Sequence, residues 1–419
     1  MRAARLSPRS SLVVVLATMA LVFAGSSVPT PLYPLYRQDL GFSRVTLSLI
    51  FAVYVVGTMA ALFFAGRLSD QIGRRRTIFL AMGCVFASTL VFLFGATEVG
   101  LFVGRVLIGL AVGLGAGTCT AWVADLDTGG EARSATLAAA ANMAGLGLGA
   151  VGAGMLARWA PEPLALSWVV YLDLAFALLA LLWFVVDTVE EPVQRLREVS
   201  LRPRLGVPAD RRDRFVPPAT NAFCIFAMGG FYGALIPSVL AEALHRNNPA
   251  LSGAVVAEFF LGGAVLMVVT QWLADRRAML TGLVLIMPAG WLLVWATVAH
   301  SLPLLLIATA VGAAGQAVGF RGGLSVVNSL APQENRAEVV STYLLFCYLG
   351  LAVAPVGVAV LTTAWALVPA ESVFAGVLLV LSAVGLAVEL RRGASTDRDA
   401  ADPQDVPDRR VQSVLVQRS

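Results

Sequence analysis

Residues 66–76 read Gly66-Arg67-Leu68-Ser69-Asp70-Gln71-Ile72-Gly73-Arg74-Arg75-Arg76. This charged, glycine-bounded stretch is wedged between two apolar runs, 44–65 and 77–96. Each run is long enough to cross a bilayer, which takes about 20 apolar residues. So short a polar segment between two such runs leaves room for a tight turn at a membrane face and nothing larger. Its arginines hold the turn to one side of the membrane.

Working outward, ten more apolar segments follow the same pattern: 11–31, 99–122, 134–157, 167–187, 215–240, 251–273, 279–299, 302–327, 337–361 and 371–391. Of 419 residues, 58% are hydrophobic and 13% charged; soluble domains carry roughly 25% charge. A soluble enzyme and a disordered chain are both excluded. The expected fold is an all-α integral membrane protein with twelve transmembrane helices. Arg2, Arg5 and Arg9 before the first run suggest a signal peptide, but apolar character continues through Pro29 to Tyr36, and no long exported domain follows.

An even number of spans puts both termini on one side. Lysine is absent, and 24 of the 30 arginines fall on the side of the termini. Arg37, Arg44, Arg158 and Arg246 fall opposite, and Arg105 and Arg321 lie within spans. The positive-inside rule then makes the termini cytoplasmic, in a multi-pass protein of the plasma (inner) membrane. The net charge of +4 is a topology signal, so no nucleic-acid partner is expected.

The expected divisions are a cytoplasmic N-terminus (1–10), a first six-helix half (11–187), a cytoplasmic linker (188–214), a second six-helix half (215–391) and a disordered cytoplasmic tail (392–419). The halves repeat weakly. Leu68-Ser69-Asp70 is matched by Leu273-Ala274-Asp275, and Arg133 with Gly147 and Gly154 by Arg336 with Gly350 and Gly357. Parallel repeats of this kind build transporters whose substrate site lies between the halves.

The stretch 66–76 resembles the signature loop of the major facilitator superfamily, G-x-L-[SA]-D-x-x-G-R-[RK], at every fixed position. The resemblance implies two pseudo-symmetric halves of six helices. It also implies a conformational latch at Gly66, Asp70, Gly73 and Arg74, with Asp70 docking on the second half near span eleven. Locally, both glycines suit a turn with positive φ, and Asp70 can pair with Arg74. A purely topogenic basic loop is the alternative, but it would need neither the glycines nor the acid.

Within the spans, Arg105 precedes Gly109, Gly113 and Gly117 on one helix face. It looks like the span-four arginine of proton-coupled family members, and must find a cavity or a partner unless it snorkels outward. Asn142 opens a glycine-rich run, Gly145 to Gly154, similar to the antiporter motif of the family's exporters; here Gly149 is followed by alanine instead of proline. Glu258 and Asp173 are carboxyls inside spans, able to take up and release a proton in a low-dielectric site. With Arg105 they are the expected proton-coupling residues. The expected substrate-binding residues are Ser27, Tyr33, Arg105, Asn142, Asn221, Tyr232, Glu258 and Gln316; Ser26, Thr30 and Arg321 lie on the same spans. Trp122, Trp168 and Trp183, near span ends, read as interface anchors.

Cys84, Cys119, Cys224 and Cys347 are isolated, and His245 and His300 fall in loops, so no metal and no cofactor is expected. H-E-x-x-H, G-x-S-x-G and GxxxxGK[ST] are all absent, which argues against an enzyme and against direct ATP use. The expected function is a monomeric secondary transporter of a small molecule, working by alternating access in the lipid bilayer. Proton-coupled efflux of a drug-like compound or metabolite leads. Proton symport of a sugar or organic acid is the alternative, and a non-transporting receptor or intramembrane enzyme is the reading from another class.

Overall fold

A computed structural model describes residues 6–66, 68–189, 206–208, 211–330 and 336–401. Most of the expected linker, and the tail beyond 401, lie outside the described residues. The chain forms α1 (Pro8–Ser27), α2 (Pro29–Leu40), α3 (Arg44–Ala65), α4 (Leu68–Ile72), α5 (Arg74–Phe94), α6 (Glu98–Leu126), α7 (Glu131–Trp159) and α8 (Pro163–Leu182). The second series is α9 (Arg212–Ala234), α10 (Ile236–Ser238) with a π-helical turn (Val239–Ala243), α11 (Pro249–Val269), α12 (Asp275–Val298), α13 (Leu302–Leu330), α14 (Arg336–Leu361) and α15 (Leu367–Ala401). Among the described residues, eleven stretches are long and apolar enough to span a membrane, the first comprising α1 and α2 together. The twelfth is α9 with its continuation to Ala243, bent by 51°.

Side chains cap several starts. Ser7, Ser43 and Thr97 each accept a backbone N–H three residues on, meeting donors that the first helical turn leaves unpaired. Prolines set the breaks. Pro29 and Pro31 lie where α1 gives way to α2, and Pro237 lies just past the bend after Ala234. Pro237 has no N–H to give the Gly233 carbonyl four residues back. That carbonyl is taken instead by the Thr30 hydroxyl at 2.8 Å. The seventh span is thus bent where a continuous run over 215–240 was expected. α15 continues to Ala401, past the expected boundary at 391.

The two series meet along α7 and α11 and along α3 and α14. Small residues allow the approach: Gly154 lies against the Pro249 carbonyl, and Gly253 against that of Ala150. Two of the three expected tryptophan anchors are core residues. Trp122 and Trp168 are fully buried, with Nε1 donating to the Val186 carbonyl at 3.1 Å and the Tyr36 hydroxyl at 2.9 Å. Burial is tolerable because each indole N–H has found an acceptor. Trp183 alone of the three is exposed, beneath Arg75.

Candidate functional site: a cavity between the halves

A cavity of about 500 Å³ lies between the two series of helices. Its wall is mainly apolar, with Phe23, Phe51, Met143, Phe226, Phe260 and Phe320 among the larger side chains. Ser26, Ser27, Thr30, Asn142 and Gln316 supply polar groups. The lining runs from Thr30 and Gly233 at one end to Ala124 and Glu131 at the other, near the arginine-rich loops, where Glu131 is exposed. At the Thr30 end the halves are joined. Besides the Thr30–Gly233 bond, Glu242 pairs with Arg37 at 3.3 Å and with Arg44. Glu242 and Arg37 lie just past apolar runs and Arg44 opens one, so none was in the candidate-site set read from the sequence.

Arg105 is completely buried, yet it does not line the cavity. Its guanidinium donates to the backbone carbonyls of Ser26 (2.6 Å), Ile50 (3.3 Å) and Phe51 (3.3 Å), and lies over the Tyr54 ring at 4.6 Å. It therefore ties three spans together one layer behind the wall, and outward snorkelling does not occur. Its bonds are to carbonyls; neither Asp173 nor Glu258 is its partner.

The other expected binding residues separate. Ser27, Asn142 and Gln316 face the cavity; Tyr33, Asn221, Tyr232, Glu258 and Arg105 are not among its lining residues. Asn221 is fully buried and donates to the Gly319 carbonyl at 2.8 Å, bridging α9 and α13. Tyr232 spends its hydroxyl on Thr309 at 3.0 Å. Tyr33 is buried. Glu258 is half-buried and shares a face of α11 with exposed Ala254, Val265 and Val269, so it points away from the cavity. Asp173 is exposed midway along α8, with exposed Leu174 and Phe176 nearby. Arg321 pairs with Asp275 at 3.2 Å and donates to the Leu273 carbonyl at 2.7 Å, at the arginine-rich end.

Glycines of the span-five run serve packing. Gly145 lies against the Ala20 carbonyl, and a Cβ at Gly149 would stand 2.5 Å from the Ala24 carbonyl and the Ser27 Oγ. Gly152, in the same run, borders open space.

The signature loop is cross-braced. Arg74 pairs with Asp70, bonds Ser69 Oγ at 2.8 Å and reaches Asp125 at 3.2 Å. Asp187, from beyond span six, accepts the backbone N–H groups of Arg74 (3.0 Å) and Arg75 (3.1 Å), capping α5. Gly73 has φ of +103°, and a Cβ there would meet the Asp187 carboxylate at 2.7 Å. Gly66, by contrast, has ordinary helical φ of −60°, so only one of the two glycines serves the expected turn. The second half repeats the brace: Arg276 at the start of α12 pairs with Glu389 of α15 at 2.5 Å. Asp125, Asp187 and Glu389 were missed because each becomes significant only through a partner distant in sequence. Glu371 was missed as a residue at a span boundary; it is fully buried, with the Thr297 hydroxyl near its carboxyl but no well-formed hydrogen bond to either oxygen among the described residues.

Among the described residues no group of three or more His, Cys, Asp or Glu could hold a metal ion. The chain's fold is similar to that of a peptide transporter POT, with a TM-score of 0.73 and 15% identity, covering 91% of this chain and 94% of that one. It is also similar to the human organic anion transporter MFSD10 (TETRAN), with a TM-score of 0.66 and 17% identity, covering 91% of this chain and all of that one. In sequence it is 25% identical to a gallate transporter of Pseudomonas putida over 77% of this chain and 78% of the relative. It is 28% identical to the quinolone resistance protein NorA of Staphylococcus aureus over 25% of this chain, a match spanning 27% of NorA. The family model described as Major Facilitator Superfamily matches residues 15–219 and 218–417. The chain belongs to the Major Facilitator Superfamily.

Proposed function

We propose that this chain is a proton-coupled exporter of a small, largely apolar molecule, acting as a monomer by alternating access. It sits in the plasma (inner) membrane, with both termini and the arginine-rich loops in the cytoplasm. The observation that carries the proposal is the cavity between the halves, joined across one end by Thr30–Gly233 and Glu242–Arg37/Arg44 and reaching exposed Glu131 at the other. On this reading it is an inward-facing state. Rocking the halves would break the Glu242 contacts and bring the signature loop against the second half, with Asp70 as the latch. Glu258 is the carboxyl assigned to the proton; it stands on the face of α11 opposite the lining residues Val256 and Phe260.

The likeness to NorA supports export of a drug-like compound. The longer match to the gallate transporter favours a second reading, uptake of an organic acid with protons. Against it, Glu131 is the one charged residue among the described lining residues. A carboxylate substrate would meet no cation there.

Flux in proteoliposomes under an imposed pH gradient tests the proposal. Substrate is expected to move uphill against the proton flow. If a broad panel of compounds shows neither solute flux nor accompanying proton flux, the carrier reading fails. If organic acids move with the protons, the second reading replaces the first.

A further inference from the structure

Gln316 is the polar residue among the described lining residues of α13. It is 4% exposed, and its Oε1 has no hydrogen-bond partner among the described residues. Gly229 leaves room for the amide: a Cβ at that position would stand 3.1 Å from Nε2. Several other lining hydroxyls are already committed to backbone carbonyls. Ser26 donates to the Phe23 carbonyl at 2.7 Å, Ser27 to that of Ala24 at 3.0 Å and Thr120 to that of Ala116 at 2.7 Å. Thr30 is spent on Gly233. Asn142 faces the same cavity from the first half.

We infer that the cavity selects an uncharged, largely apolar molecule carrying an N–H donor beside a C=O acceptor, as in a primary amide, lactam or cyclic imide. The inference rests on the transport reading only in taking this cavity as the substrate site. A carboxamide presents one acceptor and a donor pair side by side, so its complement is a second edge of the same kind, joined by two antiparallel hydrogen bonds. Gln and Asn read the N6/N7 edge of adenine by the same geometry. The charge rule follows from the lining. Glu131, the one charged residue among the described lining residues, is exposed at the open end. An ammonium or carboxylate carried deeper would lose its hydration without gaining a counter-charge. A volume of about 500 Å³ suits one or two fused rings with substituents.

Four matched probes test this: 1-naphthamide, N,N-dimethyl-1-naphthamide, 1-naphthoate and (1-naphthylmethyl)trimethylammonium. Binding to the purified full chain in detergent is read by naphthalene fluorescence, without a gradient. Naphthamide is expected to bind roughly tenfold tighter than each of the others, the effect of about two net hydrogen bonds. Gln316→Leu should erase that margin while the chain elutes as a single species. Gln316→Glu should move the preference to the ammonium probe. Equal or tighter binding of the naphthoate or ammonium probe by the unaltered chain would overturn the inference, even if neither variant folds. So would a full naphthamide margin in Gln316→Leu, or no binding of any probe. A chain that binds naphthamide selectively but moves no solute in proteoliposomes keeps this inference and loses the transport reading. One that moves only charged solutes does the reverse.

Discussion

The Arg105 guanidinium donates to the Ser26 carbonyl at 2.6 Å, from behind the wall that Ser26 presents to the cavity. The same side chain bonds the carbonyls of Ile50 and Phe51, so one residue of the fourth span fixes the first and second around it. Arg105→Ala should therefore act first on stability. Removing charge-assisted bonds in a fully buried site costs about 2 kcal/mol or more. A lower thermal midpoint in detergent is expected, with Arg105→Lys only partly restoring it because an ammonium cannot reproduce the planar fork. Normal stability with lost transport would instead give Arg105 a direct part in coupling.

Glu242 joins two arginines from the first half at the closed end of the cavity. These groups are about one-third exposed, so each pair is worth at most about 1 kcal/mol. Glu242→Gln should accordingly shift the balance of states only several-fold. A cysteine placed at Thr30 in a chain lacking its native cysteines would report it, as faster labelling by a thiol reagent that cannot cross the membrane. Unchanged labelling would mean that Glu242 does not hold that end closed.

Asp70→Asn should leave the protein folded and inserted, since Arg74 keeps its bonds to Ser69 and Asp125. Turnover should fall by about an order of magnitude if the latch contributes roughly 1.4 kcal/mol to the conformational balance. Turnover equal to that of the unaltered chain would remove Asp70 from the cycle.

Two acids in spans invite opposite expectations. Glu258→Gln should abolish uphill flux driven by a pH gradient while sparing substrate exchange; intact uphill flux would clear Glu258 of the proton. Glu371→Met should leave coupling intact and raise stability by about 1 kcal/mol, because it replaces a buried carboxyl that the nearby Thr297 hydroxyl offsets only in part by an apolar group. A drop in thermal midpoint would show that Glu371 has a stabilising partner.

The spans were legible because each is a long apolar run, and the signature loop because its residues are contiguous. Which face a residue takes was less accessible. α11 is apolar nearly all round, so its composition does not mark the side on which Glu258 stands. Only packing against α7 and α13 turns that face outward. Arg105 invited a search for an acid, whereas its partners are backbone carbonyls, which every residue possesses and no motif announces. Trp122 and Trp168 sit at the depth of interface anchors, but their depth along the helix says nothing of burial across it. Gln316 and Asn221 were chosen as amides on spans ten and seven, and Asn142 at the head of the glycine-rich run; Gln316 and Asn142 line the cavity, whereas Asn221 was drawn into a helix crossing.

The ring at Pro237 gives the Gly233 carbonyl a permanent vacancy. If the halves part as proposed, Thr30 withdraws, and Pro237 has no N–H to take its place. Solvent must. Opening this end is thus an exchange of one hydroxyl for another, protein for water, with no helical bond broken or remade. On the proposed alternating-access cycle the bend would then act as a hinge whose hydrogen bond passes between protein and water.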